Sequence, residues 1–172
     1  MNEALLTGWE RLRHGGLLLD AARLRDVAGH AVESLTPYTE EGLRQRVATL
    51  LDGSGDGPAF VTFVLESVCG FDHSTGTWQR GTQVPADLSR TAVTGEAIKP
   101  RQVWTGPSGA LLPVFFDGER RLGIGRGRRT TSHALQWLRA GREQLAIVTN
   151  GRQWRLVFAG LDFDAWCEWD VE

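Results

Sequence analysis

The sequence predicts an α/β or α+β domain in which a helical N-terminal part is followed by one mixed sheet. Three observations carry that expectation. Apolar residues recur at helical spacing before Phe71, short β-branched and apolar runs take over after Gly109, and Asn150-Gly151 gives a strong hairpin signal between two of those runs. The 172 residues suit a single domain, with a helical part over 1–71, an irregular segment over 72–109, and a sheet with one helix over 110–172.

Leu5, Leu6, Trp9 and Leu12 predict a first helix over Ala4–Arg13, and Leu18, Leu19, Ala22, Leu24 and Val27 a second over Leu17–Val32. Thr39 offers an N-cap for a third helix ending at Leu51. Asp52 to Pro58 reads as a loop, and Phe60, Phe63, Val64, Val68 and Phe71 give Ala59–Phe71 a buried helical face that also bears Glu66. The polar stretch from Asp72 to Gly109 keeps apolar anchors at Trp78, Val84 and Trp104. Ala110–Phe116 reads as a buried strand, Asp117-Gly118 as a tight turn, and Arg120–Gly125 as a short strand or a turn. Thr130 or Thr131 is expected to cap a helix over Ser132–Ala140, whose Ala134, Leu135, Trp137 and Leu138 form one apolar stripe. Strands are expected at Leu145–Val148, Gln153–Ala159 and Ala165–Val171, the last followed so closely by Glu172 that the chain reads as a fragment of something longer.

Composition narrows the function classes. Leu111–Phe116 is far short of the roughly 20 apolar residues a membrane span needs, and the N-terminus lacks a secretory pattern, so a cytoplasmic protein without a membrane partner is expected. Cys69 and Cys167 form neither a disulfide framework nor a zinc pattern, and His14, His30, His73 and His133 show no ligand spacing, so no metal is expected from them. The net charge of −2 hides a strong asymmetry: Met1–Glu119 carries −5, Arg120–Arg155 carries +8 through nine arginines and the single acid Glu143, and the tail carries −5.

The stretch Leu145-Ala-Ile-Val-Thr-Asn-Gly-Arg-Gln-Trp-Arg-Leu-Val157 resembles a segment of nuclease-like domains of the PD-(D/E)XK class. It is most similar to the N-terminal domain of large bacterial restriction–modification proteins of phage defence, in which an adenine-specific methyltransferase follows on the same chain. There a helix leads into a strand ending in Thr-Asn-Gly, and the hairpin partner begins Arg-x-Trp-Arg-Leu. Ser132–Ala140, Leu145–Asn150 and Arg152–Phe158 fill those places here, and the resemblance covers about residues 95 to 160. It implies a mixed sheet of restriction-endonuclease-like type, DNA as a partner, and a methyltransferase domain or other defence subunits as further partners. The chain has no Asn-Pro-Pro-Tyr motif, so methylation does not reside in it.

The catalytic pattern of that class places an Asp on one strand and a Glu or Asp two residues before a Lys on the next, so that the carboxylates hold Mg²⁺ and the lysine positions water. With Ile98–Trp104 and Leu111–Phe116 on those strands, Arg101 replaces the aspartate and the second position is apolar with Pro113, leaving no metal cage. A migrated, Mg-dependent catalytic set would use Asp117, Glu119 and Lys99, with Glu66 and Glu96 as further carboxylates. The bland alternative gives Asp117 to its turn and makes the others surface or salt-bridged residues. The residues favour a domain without nuclease activity and without a cofactor.

Arg126, Arg128 and Arg129 lie in Gly123-Ile-Gly-Arg-Gly-Arg-Arg129, whose glycines permit close approach of a backbone, and the loop leads into a helix N-terminus suited to phosphate. Gly123-x-Gly125-x-Gly127 lacks dinucleotide-binding spacing. Arg152 and Arg155 flank Trp154 on an expected strand and complete the DNA-binding candidates. Against this stands a solvated loop whose cations pair with the acidic ends of the chain, or a docking surface for another protein.

Overall fold

The computed structural model describes residues 3–16, 19–28 and 34–171. Along the chain run α1 (Glu3–Arg11), β1 (Arg13–Gly15), α2 (Ala21–Ala28), α3 (Pro37–Asp52), α4 (Gly57–Phe63), β2 (Thr77–Arg80), β3 (Arg90–Thr91) and β4 (Ala97–Ile98). They are followed by β5 (Gln102–Thr105), β6 (Leu111–Phe116), α5 (Arg128–Arg139), β7 (Leu145–Thr149), β8 (Gln153–Ala159) and β9 (Asp164–Asp170). Seven strands form one sheet in the order β1-β9-β8-β7-β6-β5-β2, and β3 pairs with β4 in a separate ribbon. The fold is thus mixed α+β with a large, mostly antiparallel sheet: among the described residues only β6 and β7 run parallel, and α5 bridges them. A parallel pair requires such a crossover, whereas the Asn150-Gly151 turn suffices for antiparallel β7 and β8.

Successive residues of a strand point to opposite faces, so β6 and β7 feed two cores. Phe115, Ala146 and Val148 pack with Ala134, Trp137 and Leu138 of α5, together with Ala92 and Ile98 around the small ribbon. Val114, Ile147 and Trp154 pack on the other face with Leu50 of α3 and Phe60 and Val61 of α4. Trp137 is fully buried; its Nε1 donates to Leu88 O at 2.7 Å, and the Arg90 guanidinium lies 3.4 Å from its ring centroid. Trp104 is half-buried beside the second cluster, and Trp9 is half-buried against His14.

Several boundaries differ from expectation. Thr36, not Thr39, caps α3: its Oγ1 accepts from Thr39 N at 3.1 Å, because Pro37 supplies a first helical residue that needs no amide partner. Asp56 likewise caps α4, so the helix begins inside the expected loop. That helix stays α-helical only to Phe63, and a wider π turn follows over Val64–Val68, with Cys69 N donating to Val64 O at 2.9 Å. Phe71 lies beyond it. The second helix spans Ala21–Ala28, and its expected extensions over 17–18 and 29–32 lie outside the described residues.

The segment 72–109 is not merely irregular, since it supplies two strands of the main sheet, with Trp78 opposite Trp104, and both strands of the ribbon. The helical part also contributes β1, which pairs with β9 at the sheet edge. Arg120–Gly125 forms no strand. It belongs to the crossover from β6, and α5 begins at Arg128, four residues earlier than Ser132, with no capping side chain at Gly127.

Candidate nucleic-acid interface

The turn between β6 and α5 lies across the C-terminal ends of the parallel strands, and its shape is imposed from below. Asp117 N donates to Thr149 O at 2.8 Å, and Asp117 Oδ1 accepts from Glu119 N at 2.8 Å. Asn150 Nδ2 donates to the carbonyls of Glu119 and Arg120 at 3.0 and 3.1 Å, so the β7–β8 hairpin turn holds the start of the segment. Leu122 is buried in the core beneath α5, and its N–H donates to Gln153 Oε1 at 2.9 Å. Gly123 N to Gly127 O at 3.1 Å and Gly127 N to Ile124 O at 3.0 Å close the remainder. Gly127 is obligatory in this arrangement, because a Cβ there would stand 2.1 Å from Arg121 O. With the backbone pinned and Leu122 turned inward, Arg120, Arg121, Arg126, Arg128 and Arg129 are all exposed.

Their partners separate them. Arg120, Arg121, Arg126 and Arg128 make no ion pair with a carboxylate among the described residues; Arg128 Nε donates to Gly123 O at 3.3 Å. Arg129 donates to Glu96, whose other oxygen lies 2.8 Å from His133 Nε2, and the Arg129 hydrogen bond holds the Glu96 carboxyl below its ordinary pKa. Arg126, Arg128 and Arg129 line a cavity of about 630 Å³ together with Asp117, Glu119, Gly125 and Thr130. Asp117 is 4% exposed, and its Oδ2 is buried with no hydrogen-bond partner.

The expected catalytic set is therefore divided. Asp117 and Glu119 share this cavity, whereas Lys99 is exposed on the connection between β4 and β5 and is not part of the lining. Glu66 sits on the π turn and pairs with Arg80, and Glu96 holds Arg129 and His133. Among the described residues, no three His, Cys, Asp or Glu side chains are grouped so as to hold a metal ion.

The DNA-binding candidates are divided as well. Arg155 is 9% exposed and donates through Nε and Nη2 to Glu168 Oε2 at 2.8 and 2.5 Å, with its guanidinium 4.2 Å from the Trp166 ring centroid. A buried, paired guanidinium cannot reach a phosphate, so Arg155 is withdrawn from the interface. Arg152 is half-buried and donates through Nη2 to Leu50 O at 2.9 Å and Leu51 O at 3.3 Å, fastening the last turn of α3 to the hairpin. Trp154 faces the core beside Phe60 and Trp169 and is not available for stacking.

The acidic tail thus neutralises part of the arginine block: Glu168 takes Arg155 and Asp164 takes Arg139. It leaves the crossover turn uncompensated. Arg120 and Arg121 belong to the same arginine block, but no spacing in the sequence marks them as individual contacts; the pinned turn does. Comparison with family models, with curated proteins and with solved structures gives no match for this chain.

Proposed function

We propose that this chain is a DNA-contacting, nuclease-like domain without nuclease activity, belonging to a bacterial restriction–modification or phage-defence protein. The resemblance of Leu145–Val157 supports the family reading. So does a sheet covered by helices on both faces, with a single parallel pair bridged by α5. On this reading the sheet is of restriction-endonuclease-like type, the protein works in the cytoplasm, and the partners are DNA and a methyltransferase domain or another defence subunit. Contact is made through the DNA backbone. Arginines fixed on one turn displace condensed counterions and offer two-pronged hydrogen bonds to phosphate.

The observation that carries the proposal is the exposure, without carboxylate partners, of Arg120, Arg121, Arg126 and Arg128 on one rigid turn. Fluorescence anisotropy with unrelated duplexes over a salt series tests it. Affinity should fall steeply with salt, and replacing the four arginines by glutamine should weaken binding across sequences, reducing the log–log salt slope by about one for each phosphate no longer neutralised. Absence of duplex binding at low salt defeats the proposal and favours the turn as a dock for an acidic protein surface.

A second reading, a Mg-dependent endonuclease, draws on the partnerless Oδ2 of Asp117 beside Glu119. Nicking of supercoiled plasmid in Mg²⁺ or Mn²⁺ that disappears in Asp117→Asn and Glu119→Gln would establish it in place of the inactive reading.

A further inference from the structure

On the opposite side of the end of β6, between α4 and the β2–β5 border of the sheet, lies a cavity of about 590 Å³ that the arginine turn does not enter. Its volume falls within the usual range for small-molecule sites. Phe116 from β6 and Pro58 from α4 give it an apolar wall, with the buried Val61 and Val114 beneath. Its side-chain polar groups are chiefly donors. Arg80 donates Nε to Gln102 Oε1 at 3.2 Å and Nη2 to Glu66, leaving Nη1 without a protein partner. Gln102, only 7% exposed, spends its carbonyl on Arg80 and keeps its Nε2 unpaired. Arg101 is exposed with no carboxylate partner, and its carbonyl accepts from Gly81 N at 2.9 Å, fixing the rim beside Thr82. Glu66 reaches Arg80 from the π turn, a departure from α-helical geometry that often accompanies functional sites.

An apolar wall with pre-positioned donors on one side fits a ligand with a flat apolar body and an anionic head. We propose that this cavity binds a nucleoside monophosphate unit, its base against Phe116 and Pro58 and its phosphate on Arg101 and Arg80. The choice of a nucleotide among flat anions rests on the DNA-contacting reading: Phe116 lines this cavity and the next residue, Asp117, lines the one beneath Arg126 and Arg128. The nucleotide comes either from the end of a strand or from the free pool, and the chemistry of recognition is the same. Stacking on an aromatic ring tolerates any base, so the site is expected to discriminate phosphate from no phosphate more than one base from another.

The test is calorimetric titration of the full chain with thymidine 5′-monophosphate, thymidine, inorganic phosphate, and a single-stranded hexamer with and without a 5′-phosphate. Saturable binding of the monophosphate is expected, with thymidine and phosphate each at least about tenfold weaker. Arg101→Gln should cost on the order of tenfold, since it removes one charge-assisted hydrogen bond. Thr82→Trp should abolish binding by filling the rim. Both substituted positions are exposed, and circular dichroism verifies that the variants fold. Tighter binding of the phosphorylated hexamer than of the monophosphate assigns the ligand to a strand end, and the reverse order assigns it to the free pool. Failure of both to bind, equal affinity for thymidine and its monophosphate, or indifference to both substitutions overturns the proposal. Duplex affinity measured on the same variants should be unchanged. A duplex that does not bind while the monophosphate does would refute the crossover-turn reading alone.

Discussion

Replacing Arg155 by methionine separates a structural arginine from a binding one. Its guanidinium makes two hydrogen bonds to Glu168 Oε2, at 2.8 and 2.5 Å, where the Glu168 side chain is 3% exposed. The remaining cation near Glu168 is Arg13, 3.5 Å from Oε1 and itself 59% exposed, so it does not make good the loss. Arg155→Met therefore strands a buried carboxylate, which costs about 3–5 kcal/mol. For a chain of this length that corresponds to a fall in melting temperature on the order of 10 °C. Urea denaturation followed by circular dichroism reads the change. The double variant Arg155→Met/Glu168→Leu removes the stranded charge as well and should recover most of the stability, since apolar groups of similar size commonly replace such pairs without loss. At matched folded concentration Arg155→Met should bind duplex as the unsubstituted chain does. A loss below about 1 kcal/mol, or a double variant no more stable than the single one, would refute this reasoning about the pair.

Trp137→Ala, at a fully buried residue packed against Phe115 and hydrogen-bonded to Leu88 O, should cost about 3–5 kcal/mol in the same denaturation assay. Burial is the largest single influence on the Glu143 carboxyl and opposes its charge, but the Arg90 hydrogen bond, the backbone hydrogen bonds and the Arg90 charge together outweigh it, so its pKa lies below the ordinary value in the folded chain. A depressed folded pKa means that its contribution is present above the unfolded carboxylate pKa and fades as pH falls through the folded one. The stability difference between the unsubstituted chain and Glu143→Gln should accordingly shrink on acidification through that window, as measured by denaturation at stepped pH. Burial pushes the Cys167 thiol up to about 11 and raises the Cys69 thiol as well, but Cys69 is exposed whereas Cys167 is enclosed. Native protein at mildly alkaline pH should therefore react with a thiol reagent at one cysteine, and the second should react only after unfolding.

Local signals foretold local structure well. The stripe Ala134, Leu135, Trp137 and Leu138 needs only helical periodicity, and Asn150-Gly151 needs only the positive φ that Gly151 adopts at 88°, so α5 and the β7–β8 hairpin were legible before any fold was known. Helix starts were less so: Thr36 and Thr39 are both plausible caps in isolation, and the neighbouring Pro37 decides between them. Strands β1 and β2 have 3 and 4 residues, too short for an alternation to stand out, and become strands because β9 and β5 offer them an edge.

By itself the sequence determined the order of helical and extended segments, the turn chemistry and the concentration of arginine between Arg120 and Arg155. All of these depend on neighbours a few residues away. It did not determine which arginines remain free, because each partner comes from a distant part of the chain: Glu168 is 13 residues from Arg155, Asp164 is 25 from Arg139 and Glu96 is 33 from Arg129. Only the tertiary structure decided that. Pairing β8 with β9 buries one guanidinium beside a carboxylate, while the pinned crossover holds Arg120, Arg121, Arg126 and Arg128 in solvent, where a cation keeps its attraction for a phosphate.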